Sequence, residues 1–263
     1  MTETPTESTP TATYPDLSGK VVVITGGSRG IGAATAVAFG ANGASVAVIG
    51  RDRTALDRTV AAVTAQGATA IGVVADCTVE EDLAALRHAV EEQLGALDIL
   101  AVFAGGNGMP VPTDAEISAH WRDVIETDLT ATFLTIATFL PAMRARHAGV
   151  IITMASAAAR QAARSSAAYA AAKAGVIALS RHLAGEYAHE GLRVNCIAPS
   201  AIENDRMRAW VPDEQRRALA AAFPLGRLGQ PEDIAAATLF LASAASSWIT
   251  GITLDIAGGK VML

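Results

Sequence analysis

Tyr169 and Lys173 stand four residues apart in the run Tyr169-Ala-Ala-Ala-Lys173. The stretch reads as helix, and there the i, i+4 spacing puts phenol and ammonium on one face. A neighbouring ammonium favours the phenolate over the phenol. Such a phenol can give a proton to a carbonyl oxygen, or take one from an alcohol in the reverse direction. Thirteen residues earlier comes Ser156, whose hydroxyl can bond the same oxygen. It follows an apolar run at 150–154, so it is expected at the end of a strand. A Tyr-x-x-x-Lys pair by itself is commonly a surface feature, and Ser156 is what gives this one weight.

A second constellation follows the chain's first apolar run: Thr25-Gly26-Gly27-Ser28-Arg29-Gly30-Ile31-Gly32. Glycines after a first strand let backbone approach a pyrophosphate at the positive end of the next helix. Gly26, Ser28, Arg29, Gly30, Ile31 and Gly32 are therefore expected to hold a dinucleotide. The spacing is Gly-x-x-x-Gly-x-Gly, unlike the usual Gly-x-Gly-x-x-Gly fingerprint. In NAD-binding sheets an acidic residue about 20 positions on takes the ribose hydroxyl. Here the second strand ends Val48-Ile49-Gly50-Arg51, and Asp52 comes only after the arginine. Arg51 and Arg29 can both reach a 2′-phosphate with a planar fork suited to it. The expected cofactor is NADP(H). The third strand ends at Asp76-Cys77, which places both beside the adenine. The Asp76 carboxylate either accepts from the adenine amino group or caps the following helix.

These residues need elements to hold them. Short apolar-rich runs at 21–25, 45–49, 69–74, 99–103, 150–154, 193–197 and 252–256 read as seven strands. Helical stretches lie between them, the longest at 115–146 and 166–190; Asn42-Gly43 stops the first helix and Pro231 opens the last. Strand–helix alternation with strands apolar on both sides means an α/β fold, a doubly wound parallel sheet with helices on both faces. Ligands of such sheets sit at the carboxyl ends of the strands. The chain has 263 residues, 51% of them hydrophobic and only 5% aromatic, so Ala, Val, Ile and Leu must build the core. Residues 1–15 are rich in Thr, Pro and Glu and are expected to be a disordered tail; 16–263 form a single catalytic domain.

A net charge of −6 argues against a nucleic-acid partner. The two cysteines make no disulfide framework, and the five histidines have no metal-ligand spacing, so no metal is expected. The longest apolar candidate, 130–140, is too short for a membrane span. No export signal is evident, and a cytoplasmic setting is expected.

With these motifs in this order, the chain from 17 to 259 resembles the short-chain dehydrogenase/reductase family. The likeness continues through Arg193-Val-Asn-Cys-Ile-Ala-Pro199, Pro224-Leu-Gly-Arg227 and Asp255-Ile-Ala-Gly-Gly259. The resemblance implies a Rossmann-like single domain with a seven-stranded sheet. It also implies Lys173 bonding the nicotinamide ribose, Ile202 near the nicotinamide amide, and Pro199 among the cofactor-binding residues. The general look is that of 3-oxoacyl-thioester reductases and the ketoreductases of secondary metabolism. Three positions depart from the family pattern. The usual Asn-Asn-Ala-Gly is Val102-Phe103-Ala104-Gly105, followed by an extra Gly106. Ala104 and Gly105 still let backbone approach the cofactor. Asp128 stands where the family has the helix asparagine of its catalytic tetrad, and Ser200 replaces a glycine after Pro199.

The expected function is NADPH-dependent reduction of a ketone to an alcohol, with Ser156, Tyr169, Lys173 and Asp128 as the catalytic set. Alcohol oxidation by the same groups is an alternative, as is a non-redox, sensing or structural role on the same fold. The substrate, a small carbonyl compound, is expected to touch loops 105–113, 157–165 and 201–223. Arg206, Arg208, Arg216 and Arg217 either line a solvated lid helix or steer an anionic substrate or carrier. Stretches 129–140 and 167–178 are apolar on nearly all faces, which points with the resemblance to a homotetramer.

Overall fold

A computed structural model describes residues 12–106 and 108–262. Seven parallel strands form one sheet in the order β3-β2-β1-β4-β5-β6-β7. They are β1 (Val21–Thr25), β2 (Ser45–Gly50), β3 (Ala70–Val74), β4 (Ile99–Val102), β5 (Gly149–Met154), β6 (Leu192–Pro199) and β7 (Thr253–Ile256). Strand order reverses between β1 and β4, whose ends at Thr25 and Val102 lie side by side. That junction is where a doubly wound sheet opens a crevice for a ligand.

The helices are α1 (Gly30–Ala41), α2 (Arg53–Thr64), α3 (Glu80–Gln93), α4 (Ser118–Ile125), α5 (Ala131–Ala145), α6 (Ala167–Tyr187), α7 (Asp205–Trp210), α8 (Asp213–Ala221) and α9 (Pro231–Ala242). Alternate side chains of β1 divide the core between the two faces. Val22 and Ile24 pack with Phe39 of α1, Leu56 of α2 and Leu239 of α9. Val21 and Val23 pack with Leu86 of α3, Phe139 and Met143 of α5, and Leu183 of α6. The doubly wound parallel sheet expected from strand–helix alternation is the one observed.

The differences have local causes. Residues 1–11 of the expected tail lie outside the described residues, but 12–15 are held in place. The Tyr14 amide donates to Asn42 Oδ1 at 2.7 Å and Asn42 Nδ2 donates to the Ala12 carbonyl at 3.1 Å. Asn42 ends α1 as expected and anchors this segment with the same side chain. β6 runs past its expected end to Pro199 because it is bonded on one side to β5 and on the other to β7. β4 stops one residue short, at Val102. The charged stretch after β6 contains α7 and α8, the first opened by Asn204 accepting from the Met207 amide.

The long helical stretch starts at Ser118 and is split by a π-helical segment, Glu126–Thr130, between α4 and α5. Taken together, Ser118–Ala145 is 28 residues long with hydropathy 1.2, long and apolar enough by composition to cross a bilayer. The expected apolar run of 130–140 understated this. Here the helix lies on the sheet and on α6, with Val124, Ile136, Phe139 and Met143 buried. Its threonines 132, 135 and 138 return their hydroxyls to carbonyls one turn back, which satisfies them in apolar surroundings.

Helix α9 begins with a capping box: Asp233 accepts from the Gln230 amide at 2.7 Å and also pairs with Arg227. The Arg227 guanidinium, helped by that amide, holds the Asp233 carboxyl below the usual carboxylate range. A depressed folded-state pKa stabilises above the unfolded value, near pH 4, and the contribution is lost as pH falls. Asp233→Ala should therefore lower Tm by a few degrees at pH 7, as expected for a lost cap of about 1 kcal/mol. Calorimetry should find the difference shrinking as pH drops below about 4.

Candidate active site

The turn from β1 into α1 is shaped by its glycines. Gly26 has φ +66°, and a Cβ there would lie 2.9 Å from the Phe103 carbonyl. A Cβ on Gly32 would lie 2.2 Å from the Gly26 carbonyl, so α1 can start this close to β1 only without one. Arg29 is the N-cap of α1 and makes no side-chain cap bond, which leaves the first amides of the helix open to an anion. Gly26, Ser28, Arg29, Arg51, Asp76, Cys77, Ala104 and Gly105 line one cavity of about 700 Å³ at the β1–β4 junction. Gly30 faces another cavity between α1 and α9, and Ile31 packs against the core. Ile202 stands apart: it is buried, bridges to Gly229 and lines a smaller cavity of about 210 Å³. Pro199 is the last residue of β6, paired with Ile256.

Both arginines at the rim are already engaged. Arg29 pairs with Asp52, and Arg51 lies 3.7 Å from Asp76. Asp52 also caps α2 by accepting from the Ala55 amide, and that bond followed by Arg29 holds its carboxyl below the usual range. Asp76 does not cap α3, whose N-cap is Val79. Its Oδ1 accepts from the amide and hydroxyl of Thr78 at 3.0 and 2.7 Å, which tightens the loop after β3 and lowers the carboxyl's pKa. Burial pushes the Cys77 thiol up to about 11, so Cys77 is an inert wall.

The second half of the site is built at the ends of β5 and α6. Lys173 Nζ donates to the Met154 carbonyl at 3.2 Å and pairs with Asp128 Oδ1 at 2.8 Å. The two side chains are 4% and 0% exposed. The same Asp128 oxygen accepts from the Gly106 amide at 2.6 Å. Lys173 Nζ is 5.7 Å from the centre of the Tyr169 ring. Ser156 follows Met154 by two residues, and its Oγ accepts from the Ala158 amide at 3.2 Å. Tyr169 and Ser156 are both half-buried. The structure thus gathers Lys173 and Asp128 into direct contact, with Tyr169 one turn along the same helix.

One residue of this site was hidden within a strand. The Thr25 hydroxyl, fully buried, accepts from the amides of Phe103 and Ala104 at 3.0 and 3.1 Å. It pins the segment after β4 while Phe103 itself turns into the core. A lone hydroxyl ending an otherwise apolar run was the available signal. In the expected lid, Arg208 and Arg216 lie 3.7 and 3.1 Å from Glu203, and Arg216 also pairs with Asp213. Steering of an anion by those two arginines is accordingly weakened.

Comparison with known proteins places this geometry in a family. A family model described as enoyl-(acyl carrier protein) reductase matches residues 26–260. The chain is 36% identical over 253 residues to 2-(S)-hydroxypropyl-CoM dehydrogenase 3 of Xanthobacter autotrophicus, covering 94% of this chain and 98% of that one. It is 38% identical over 252 residues to the 3-oxoacyl-[acyl-carrier-protein] reductase of Vibrio cholerae, covering 94% and 100%. A crystal structure of a 3-oxoacyl-[acyl-carrier protein] reductase from Brucella melitensis, with bound NAD, superposes with a TM-score of 0.87 at 32% identity and 98% coverage of both chains. The chain belongs to the short-chain dehydrogenase/reductase family and is an oxidoreductase that uses a nicotinamide dinucleotide. Its residues fit that group: an uncapped helix N-terminus beside Gly26, and a cavity at the strand switch point.

Asp128→Asn keeps an acceptor for Lys173 and Gly106 but removes a buried negative charge beside Lys173. Turnover should change by less than about tenfold, because the residue tunes protonation and does not carry the reacting proton. The pH–rate profile should be displaced, since the charge paired with the Lys173 ammonium is lost. An unmoved profile, or a loss of several hundredfold, contradicts this role.

Proposed function

We propose that this enzyme reduces a ketone to an alcohol with NADPH. When bound, the dinucleotide supplies the hydride that reaches the carbonyl carbon. Tyr169 Oη delivers the proton to the carbonyl oxygen, and Ser156 Oγ hydrogen-bonds that oxygen. Lys173 keeps its ammonium near the phenol and one donor for a ribose hydroxyl, the other two being taken by Asp128 and Met154. The observation that carries the reading is this Tyr169–Lys173–Asp128 cluster at the mouth of a dinucleotide fold. The Vibrio relative is named a 3-oxoacyl reductase and the Xanthobacter relative a dehydrogenase. The same groups serve both directions, and we place this protein with the reductases.

The choice of NADPH rests on Arg29 and Arg51 at the rim of the cavity and on Gly50, where a strand-end carboxylate would repel a phosphate. A 2′-phosphate would draw both arginines away from Asp52 and Asp76. We further propose a closed homotetramer in a reducing, cytoplasmic setting. Phe133 and Ala137 on α5, with Ala171, Ala174 and Ala178 on α6, leave an exposed apolar face that another copy would bury. Sedimentation at micromolar concentration should find a tetramer, and a monomer would overturn this.

The decisive experiment follows NADPH and NADH oxidation against a 3-oxoacyl thioester, a ketosteroid and a cyclic diketone. At least one should be reduced, with NADPH preferred, and Tyr169→Phe should lose about 10²–10⁴-fold in turnover. Arg29→Ala with Arg51→Ala should weaken NADPH about tenfold or more and spare NADH, since charge-assisted contacts to the phosphate are lost. Silence with every ketone rejects the reductase reading; equal use of NADH and NADPH rejects the cofactor choice.

A further inference from the structure

The first turn of α6 carries Tyr169, and two of its amides are satisfied from different places. Ser166, the buried N-cap, accepts from the Tyr169 amide at 3.2 Å. The amide before it, that of Ala168, donates to the carboxylate of Glu116 at 3.2 and 3.4 Å. Glu116 lies 52 residues earlier, in the segment that joins β4 to α4. Its side chain is only 3% exposed, and His120 Nδ1 sits 2.9 Å from Oε1. A buried carboxylate is costly unless its oxygens are bonded, so this one is held where it is by both partners. Nearby, the Tyr169 ring packs against backbone of the same β4–α4 segment: a Cβ on Gly108 would lie 3.1 Å from the ring.

We propose that Glu116 is a positioning residue for Tyr169. It fixes the start of α6 through the Ala168 amide, and so makes the placement of the phenol depend on the β4–α4 segment. Helix amides at an N-terminus favour a carboxylate, and His120 orients it. Neither residue touches the reacting atoms. Glu116 was not among the expected site residues, because nothing in its neighbourhood marks it: its partner is remote in sequence.

The test has two arms, and only the kinetic one rests on the reductase reading. Hydrogen exchange of the Ala168 amide is followed in the full chain for Glu116→Ala, Glu116→Asp and Glu116→Gln. Exchange should quicken about tenfold or more in the Ala and Asp variants, since neither can reach the amide. In the Gln variant it should stay within about threefold of wild type, because the amide oxygen still accepts. Kinetics are measured with NADPH and acetoacetyl-CoA as the 3-oxoacyl probe. The Ala and Asp variants should lose about tenfold in kcat with KM and NADPH affinity within about twofold, as a misplaced acid would cause, and Gln should recover most of it. Unchanged exchange in the Asp variant overturns the proposal, as does a loss confined to KM or a Gln variant as impaired as Ala. If the wild type fails on acetoacetyl-CoA while exchange behaves as stated, Glu116 still fixes the helix start, and it is the 3-oxoacyl reading that falls.

Discussion

Lys173 and Asp128 form an ion pair shut away from water, and the site is arranged around what such a pair demands. Taking two charges out of solvent costs several kcal/mol per ion, and only good geometry with further hydrogen bonds offsets it. Lys173 finds its second partner in the Met154 carbonyl at the end of β5. Asp128 finds its second in the Gly106 amide after β4. One charge pair therefore ties together two strand ends, the π-helical segment and the helix that bears the phenol. Breaking either side would leave a buried charge without a counterpart, which is far worse than never having placed one.

The same carboxylate constrains the backbone that follows β4. A Cβ on Gly105 would lie 2.4 Å from Asp128 Oδ1, and Gly105 and Gly106 have φ +115° and +110°. Two glycines in succession let the backbone fold over the carboxylate and present an amide to it. Phe103, where relatives carry an asparagine, is then released to the core, since the Thr25 hydroxyl already holds the amides of 103 and 104. Gly105, Gly106 and Asp128 thus depend on one another, while Ser200, after β6, bonds to Ile256 and takes no part in this contact.

Much of this was legible in the residues themselves. Seven apolar runs divided by helical stretches can make few things besides a parallel sheet, and the glycines after the first run and the Tyr-x-x-x-Lys after the fifth mark its carboxyl ends. What stayed hidden is whatever depends on pairing between distant residues. The partners of Arg29 and Arg51 and the turn made by Asp76 leave no periodic trace, whereas the nearness of Asp128 to Lys173 was legible only through the family resemblance. Asn42 was legible as a helix stop but not as the anchor of Ala12 and Tyr14, because one side chain does both. The π-helical segment had no signal at all: its composition, Glu126-Thr-Asp-Leu-Thr130, is that of ordinary helix.

That segment sets a rule of length for the chain. A π turn is a helix with one residue too many, and each residue turns an α-helix by about 100°. On its amino side, Val124 faces α6 with Ala168 and Ala172; on its carboxyl side, Ile136 and Phe139 face the sheet. The extra residue is the phase adjustment between those two faces. Asp128 apart, substitutions here are absorbed one contact at a time, but loss of a single residue would restore regular winding and swing one face out of register. This stretch of the chain is thus constrained in residue number more tightly than in residue type.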